Sequence, residues 1–183
     1  INCEYIVLCA GIWSRQIGEA AGVSIPLYPN EHFYMISENY RSLPKTLPTF
    51  RDPDTYLYIR EYHKKIMIGI FEPKAKNAFK KKGIVPNNFS FGEFKVDRKY
   101  TRMLHSLATK RIPDIKDYRI EKYFSGPESF TPDSNFLLGE SAELKNFYVC
   151  CGFNSIGIGS AGGAGKTIAD LMTRGHNNED LFS

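Results

Sequence analysis

The 183 residues are 42% hydrophobic and 24% charged, with a formal net charge of +4. This is an ordinary globular balance on a chain long enough to bury a domain core. No apolar run approaches the roughly 18 residues that a membrane-crossing helix needs, so no membrane span is expected.

Much of the positive charge sits at Lys74, Lys76, Lys80, Lys81 and Lys82, among Pro73, Gly83 and Pro86. That composition predicts a solvated loop. No stripe of aromatics and arginines accompanies the lysines, which argues against nucleic acid as a partner. The cysteines, Cys3, Cys9, Cys150 and Cys151, form no CxxC pair and have no histidine near them in sequence. Zinc is therefore not expected, and the reading is buried, reduced thiols. The chain opens at Ile1 and runs directly into a strand pattern, as a piece of a longer polypeptide would.

In chain order, residues 4–10 form an almost wholly apolar strand, which predicts a buried parallel sheet. Gly11 and a short helix through Trp13, Ile17 and Ala20 follow, with Gly22 as its stop. Residues 25–29 are extended by their prolines, residues 31–38 read as a strand, and residues 39–48 read as a loop. Residues 55–60 and 65–71 have strand composition, with 61–64 as the turn of an antiparallel hairpin. Asp97 is placed to cap a helix whose Tyr100, Met103, Leu104 and Leu107 recur at helical spacing. Pro113 ends that helix. Residues 118–125 read as a strand. Gly126-Pro127 and Thr131-Pro132-Asp133 mark a structured loop. Two short strands, 135–139 and 147–151, precede the last helix, which Gly175 closes.

The stretch from Phe147 to Arg174 is the most informative. Glycines at 152, 157, 159, 162, 163 and 165 follow its apolar strand. Each glycine inside a helix costs about 1 kcal/mol relative to alanine, so several at the head of one helix need a reason. One is close approach of backbone to a ligand, with helix N-terminal N–H groups facing electron-rich atoms. The other is tight packing of helix on sheet. Gly165-Lys166-Thr167 is not a P-loop, because the required glycine five residues earlier is Ser160.

Three blocks in order, residues 6–13 (IVLCAGIW), 126–139 (GPESFTPDSNFLLG) and 152–166 (GFNSIGIGSAGGAGK), resemble the D-amino-acid-oxidase-like FAD-dependent oxidoreductases. The nearer likeness is to the sarcosine and dimethylglycine dehydrogenase branch, which includes the regulatory subunit of pyruvate dehydrogenase phosphatase. EHFY at 31–34 and FEP at 71–73 extend the likeness over nearly the whole chain.

The resemblance implies an α/β fold. Residues 1–28 and 126–183 would belong to an FAD-binding Rossmann-like domain, and residues 29–125 to an inserted antiparallel substrate domain. Ala10, Gly11, Trp13, Gly152, Phe153, Asn154, Ser155, Ile156 and Gly157 would lie along FAD, with Pro132 and Asp133 shaping the supporting loop. His32 and Tyr58 would be catalytic candidates, and Tyr34 and Arg60 substrate-binding ones. Strand alternation puts His32 with Tyr34 on one face, and Tyr58 with Arg60 on one face.

The implied reaction is oxidative N-demethylation of a small N-methylated amino acid, in a mitochondrial protein. A non-enzymatic regulator on the same fold is the alternative. The departures bear on that choice. The dinucleotide fingerprint with its acidic partner, which the family places N-terminal to this region, is read as absent from this chain. A longer polypeptide or a partner chain would supply that unit. Gly126 and Gly159 stand where some relatives carry a substrate-binding arginine or flavin-linking cysteine, and a lysine.

Overall fold

The structure, a computed structural model, describes residues 2–41, 43–44, 46–71, 73–80 and 83–175. The chain divides into two compact units. One comprises residues 1–30, 77–89 and 128–183, and the other residues 31–76 and 90–127. Residues 77–89, placed with the inserted region in the sequence reading, group with the terminal segments.

The first unit holds a three-stranded mixed sheet. Strand β1 (Ile6–Leu8) runs parallel to β8 (Phe147–Cys151), with Ile6 opposite Phe147 and Leu8 opposite Val149. Strand β7 (Leu137–Glu140) flanks β8 on its other side, antiparallel. A 3₁₀ turn (Gly11–Trp13) leads from β1 into α1 (Ser14–Ala20). The core gathers Leu8, Val23, Ile25, Leu27, Phe147, Val149 and Cys151. The 18-residue α3 (Gly157–Arg174) buries Ala164, Thr167 and Ile168 and ends at Gly175, whose φ of 75° suits a residue without a side chain.

The expected burial of β1 is only partly realised. Ile6 and Val7 are 45% and 39% exposed. Among the described residues β1 has β8 as its one neighbouring strand, so its other edge is open. The cysteine expectation divides likewise. Cys151 is buried, but Cys3 and Cys9 are exposed.

The second sheet has the order β3-β4-β5-β2-β6. Its strands are β2 (Tyr28–Ser37), β3 (Phe50–Asp52), β4 (Leu57–Tyr62), β5 (Lys65–Ile70) and β6 (Ile120–Phe130). Strands β4 and β5 form the expected hairpin, with a tighter turn than residues 61–64 suggested. Tyr62 pairs with Lys65, and His63 and Lys64 turn the chain at φ of 50° and 65°. Helix α2 (Arg98–Arg111) starts where the Asp97 side chain accepts a 2.9 Å hydrogen bond from the Lys99 N–H. Its Leu104 and Ala108 enter a core with Phe33, Met35, Leu57, Ile59, Ile66, Ile68 and Ile70.

One expectation fails on this side. Gly126-Pro127 does not begin a loop, because β6 runs through it to Phe130. Strand β6 is the last in its sheet, and an edge strand tolerates a proline that has no N–H to donate. The stretch after residue 48 also hides a strand, the short edge strand β3.

The lysine segment is exposed at Lys74, Lys76 and Lys80, while Lys81 and Lys82 lie outside the described residues. Its later part is not simply solvated. The Gln16 amide donates to the Val85 carbonyl at 3.0 Å and accepts from the Val85 N–H at 2.7 Å.

Candidate functional site

In the first unit, β8 ends in a tight turn that feeds α3, and the turn is held from behind. Gly152 has φ of 71°, and a Cβ there would stand 2.7 Å from the Thr131 methyl, so only glycine fits. Asn154 and Ser155 follow at φ of 49° and 72°. Non-glycine residues in this region are uncommon and need local compensation. Asn154 supplies it. Its Oδ1 accepts the Thr131 N–H at 3.0 Å, and its Nδ2 donates to Thr131 Oγ1 at 3.0 Å and to the Gly152 carbonyl at 2.6 Å. Asp133 organises the Thr131 loop by accepting the Asn135 N–H at 3.1 Å. That bond is the main reason its carboxyl sits below the ordinary carboxylate range.

In front of the turn lies an open cavity of ≈ 220 Å³, lined by Cys9, Gly11, Glu128, Ser129, Cys150 and the residues from Cys151 to Ser155 together with Gly157. Ser155 donates its hydroxyl to Glu128. Burial raises the Glu128 carboxyl above its usual range, and the Ser155 bond opposes that rise. Ile156, the N-cap of α3, offers no side-chain acceptor to the first helical N–H groups. An 18-residue helix with its first N–H groups left for an outside acceptor favours an anion or an electron-rich ring.

The glycines of α3 are not explained by helix-on-sheet packing. A Cβ at Gly159, Gly162, Gly163 or Gly165 would meet nothing within 4 Å, and Ile158 is fully exposed. At Gly18, by contrast, a Cβ would come within 2.5 Å of Ile25.

Of the cofactor candidates, the structure brings Gly11, Gly152, Phe153, Asn154, Ser155 and Gly157 to this one cavity. Ala10 packs against the core, Trp13 and Ile156 are exposed outside the lining, and Pro132 and Asp133 stand in the supporting loop. The sequence reading missed Cys9, Glu128 and Cys150. Glu128 was visible inside GPESFTPD. The sequence reading also treats G-x-G-x-x-G as absent, whereas Gly157, Gly159 and Gly162 spell that spacing at the head of α3, after the turn that follows β8.

In the second unit, one face of the sheet packs on α2 and the other is aromatic. Tyr34 and Tyr58 both pair with Gly69, so the three form one row. The Tyr58 ring lies over Gly69, where a Cβ would come within 2.1 Å of it. His32 Nε2 and Tyr58 Oη share a 3.1 Å hydrogen bond, and the two rings stack at 5.7 Å. Phe71 packs against both. Burial depresses His32 to about 4, so its imidazole is neutral near pH 7.

Three cations lie over rings on this face, Arg51 over Phe71 at 4.7 Å, Arg60 over Tyr62 at 5.5 Å and Lys122 over Phe124 at 5.4 Å. His32, Tyr34 and Tyr58 are thus brought together, while Arg60 sits one pair further along, opposite Met67. Among the described residues no cluster suited to a metal ion occurs, and no helix is long and apolar enough to cross a membrane.

Residues 1–171 match the family FAD dependent oxidoreductase (DAO). The chain belongs to this family. It is 34% identical over 175 residues to 4-methylaminobutanoate oxidase (formaldehyde-forming) of Paenarthrobacter nicotinovorans, covering 96% of this chain and 21% of that protein. It is 34% identical over 183 residues to mouse mitochondrial sarcosine dehydrogenase, covering 100% of this chain and 19% of the relative. It is also 34% identical over 185 residues to the mouse mitochondrial pyruvate dehydrogenase phosphatase regulatory subunit, at 100% and 21%. The chain therefore spans about a fifth of the length of these curated relatives.

Among solved structures, L-proline dehydrogenase from P. horikoshii superposes with a TM-score of 0.77 at 24% identity, over 97% of this chain and 45% of that one. Glycine oxidase from Geobacillus kaustophilus gives 0.74 at 23%, over 100% and 45%. These likenesses establish the α/β fold of the D-amino-acid-oxidase type, and FAD is the family's cofactor.

Proposed function

We propose that the chain is part of an FAD-dependent oxidoreductase acting on the CH–NH group of a small N-methylated amino acid, of the sarcosine or dimethylglycine kind. The observation that carries this reading is the cavity lined by Gly11 and the Gly152–Gly157 turn, with the uncapped N-terminus of α3 beside it. The cavity suits the isoalloxazine end of FAD, which needs close backbone contact and N–H donors. Gly11, Gly152, Phe153 and Gly157 would hold it. FAD, when bound, accepts the hydride equivalent that leaves the substrate carbon.

The remaining tasks fall to this chain's own residues. The α3 N–H groups stabilise negative charge beside the turn. On the aromatic face of the second sheet, Arg60 and its neighbouring cations suit a carboxylate. The neutral His32, hydrogen-bonded to Tyr58, would accept a hydrogen bond from a substrate N–H and orient it. The names of the relatives 4-methylaminobutanoate oxidase and sarcosine dehydrogenase support the N-methyl substrate class. A mitochondrial location, in the matrix, is proposed from the same relatives.

A second reading, a non-enzymatic regulator, is favoured by the 34% identity to the phosphatase regulatory subunit and by glycine at positions 126 and 159. One variant and one substrate separate the readings. In the whole protein Gly157→Val is expected to cut flavin content severely while the far-ultraviolet spectrum is kept, and sarcosine or dimethylglycine is expected to bleach the wild-type flavin. Full flavin content in the variant would refute the cavity assignment. Stable flavin colour with every N-methyl amino acid tried would favour the regulator.

A further inference from the structure

Two thiols stand side by side on the wall of the cavity. Cys9 directly follows β1, and Cys150 lies within β8. Cys9 and Cys150 each stand one residue beyond the last pair of the parallel register, Leu8 opposite Val149. Directly paired residues on neighbouring strands project from the same face. Both cysteines line the cavity, neither is in a disulfide, and the nearness of Cys9 adds to the upward shift of the Cys150 thiol. Cys151 turns the other way, into the core.

We propose that Cys9 and Cys150 form a dithiol site that captures a soft, thiophilic centre bridging both sulfurs, trivalent organoarsenicals being the ligand class, and that its occupation excludes the flavin. The second half rests on the flavin reading of the cavity.

Strands in a sheet lie about 4.8 Å apart, and the Cβ atoms of paired residues about 5 Å apart, so one bridging atom can span the two sulfurs without backbone movement. The chemistry balances without an oxidant. An arylarsenoxide meets two S–H groups, two As–S bonds form, and the oxygen leaves as water with both thiol protons. Cys9, exposed, is the point of entry. Burial and the neighbouring Cys9 hold the Cys150 thiol up at about 11, so it adds second, once the arsenic is already tethered beside it. Two-point capture of this kind exceeds one-point capture by about 100-fold or more.

The probe is phenylarsine oxide, titrated into the whole protein with and without FAD. The flavin-free protein is expected to take up one equivalent that consumes two thiols, to yield a cross-linked pair of peptides carrying Cys9 and Cys150, and to release the adduct to dimercaptopropanol. Cys9→Ser and Cys150→Ser should each weaken uptake by about 100-fold, and Cys3→Ser should not. Peptide mapping on the unaltered protein decides the matter even where a serine variant misfolds. An adduct on Cys9 alone, or on other cysteines, overturns the dithiol site. A mapped Cys9–Cys150 bridge with undiminished FAD binding overturns the exclusion. Gly157→Val tests the flavin cavity separately, so the two failures are distinguishable.

Discussion

His32 has an unusual position for an ionisable group, because it hydrogen-bonds the Tyr58 hydroxyl while its ring is walled by Tyr58 and Phe71. Burial lowers its pKa from 6.5 to about 4. Between those values the unfolded chain binds more protons than the folded one, so stability rises with pH across the window. The contribution is complete above about 6.5 and is lost as the pH falls towards 4, by up to about 1.4 kcal/mol per pH unit. Urea unfolding at pH 7 and pH 4.5 should therefore show a smaller acid penalty in His32→Gln than in the wild type. An equal penalty would mean that other groups carry the acid sensitivity. Gly69 supports the same pair from below. Gly69→Ala puts a methyl where the Tyr58 ring lies, so the ring must shift and the His32 bond must lengthen. The expected result is a stability loss of about 1–3 kcal/mol together with a rise in the His32 pKa by NMR. A pKa still near 4 would show that Tyr58 does not fix the histidine's surroundings.

At the scale of elements, α2 shows how local signals and packing divide the work. Asp97→Ala removes the cap on Lys99 N–H and should cost about 1 kcal/mol. Leu104→Ala opens a hole in a core of isoleucines and should cost about 2–5 kcal/mol. Chemical denaturation of the two variants should preserve that order, and a cap that costs more than the core leucine would contradict it. Helix α2 was legible because its cap, its apolar stripe and Pro113 all agree. Strands β4, β5 and β8 were legible for the same kind of reason, since β-branched and aromatic runs are bounded by breakers. Strand β3 was not, because three residues of an edge strand carry no period. The continuation of β6 through Gly126-Pro127 was not, because proline signals a turn unless the strand is known to lie at an edge. The candidate cavity was half legible. Its glycines announce themselves, but Cys9 and Cys150 meet through a parallel pairing between residues far apart in sequence, which no local pattern displays. The compensation of Asn154 through Thr131 is hidden likewise.

For the whole molecule, the glycines set what the chain can hold by itself. FAD presents two ends with different needs. The flavin needs backbone at close range, and the pyrophosphate needs helix N-terminal N–H groups behind a glycine turn. Among the described helices, α3 alone combines an open glycine head with an uncapped N-terminus. Helix α2 starts with the Asp97 carboxylate already on its N–H groups, and α1 is only seven residues long. One such terminus serves one end of the cofactor. Binding by that end alone keeps most of the ordering cost while forgoing many contacts. The 183-residue chain is therefore expected to bind FAD weakly, with a dissociation constant well above micromolar, whereas the protein that adds a dinucleotide-binding unit should retain FAD through purification. Quenching of flavin fluorescence on titration into the isolated chain measures the first quantity. Submicromolar binding there would mean that α3, with its G-x-G-x-x-G spacing at Gly157, Gly159 and Gly162, seats the pyrophosphate rather than the flavin. In that event Gly159→Val should abolish binding of ADP as well as FAD, whereas a flavin-only seat predicts no ADP binding to lose.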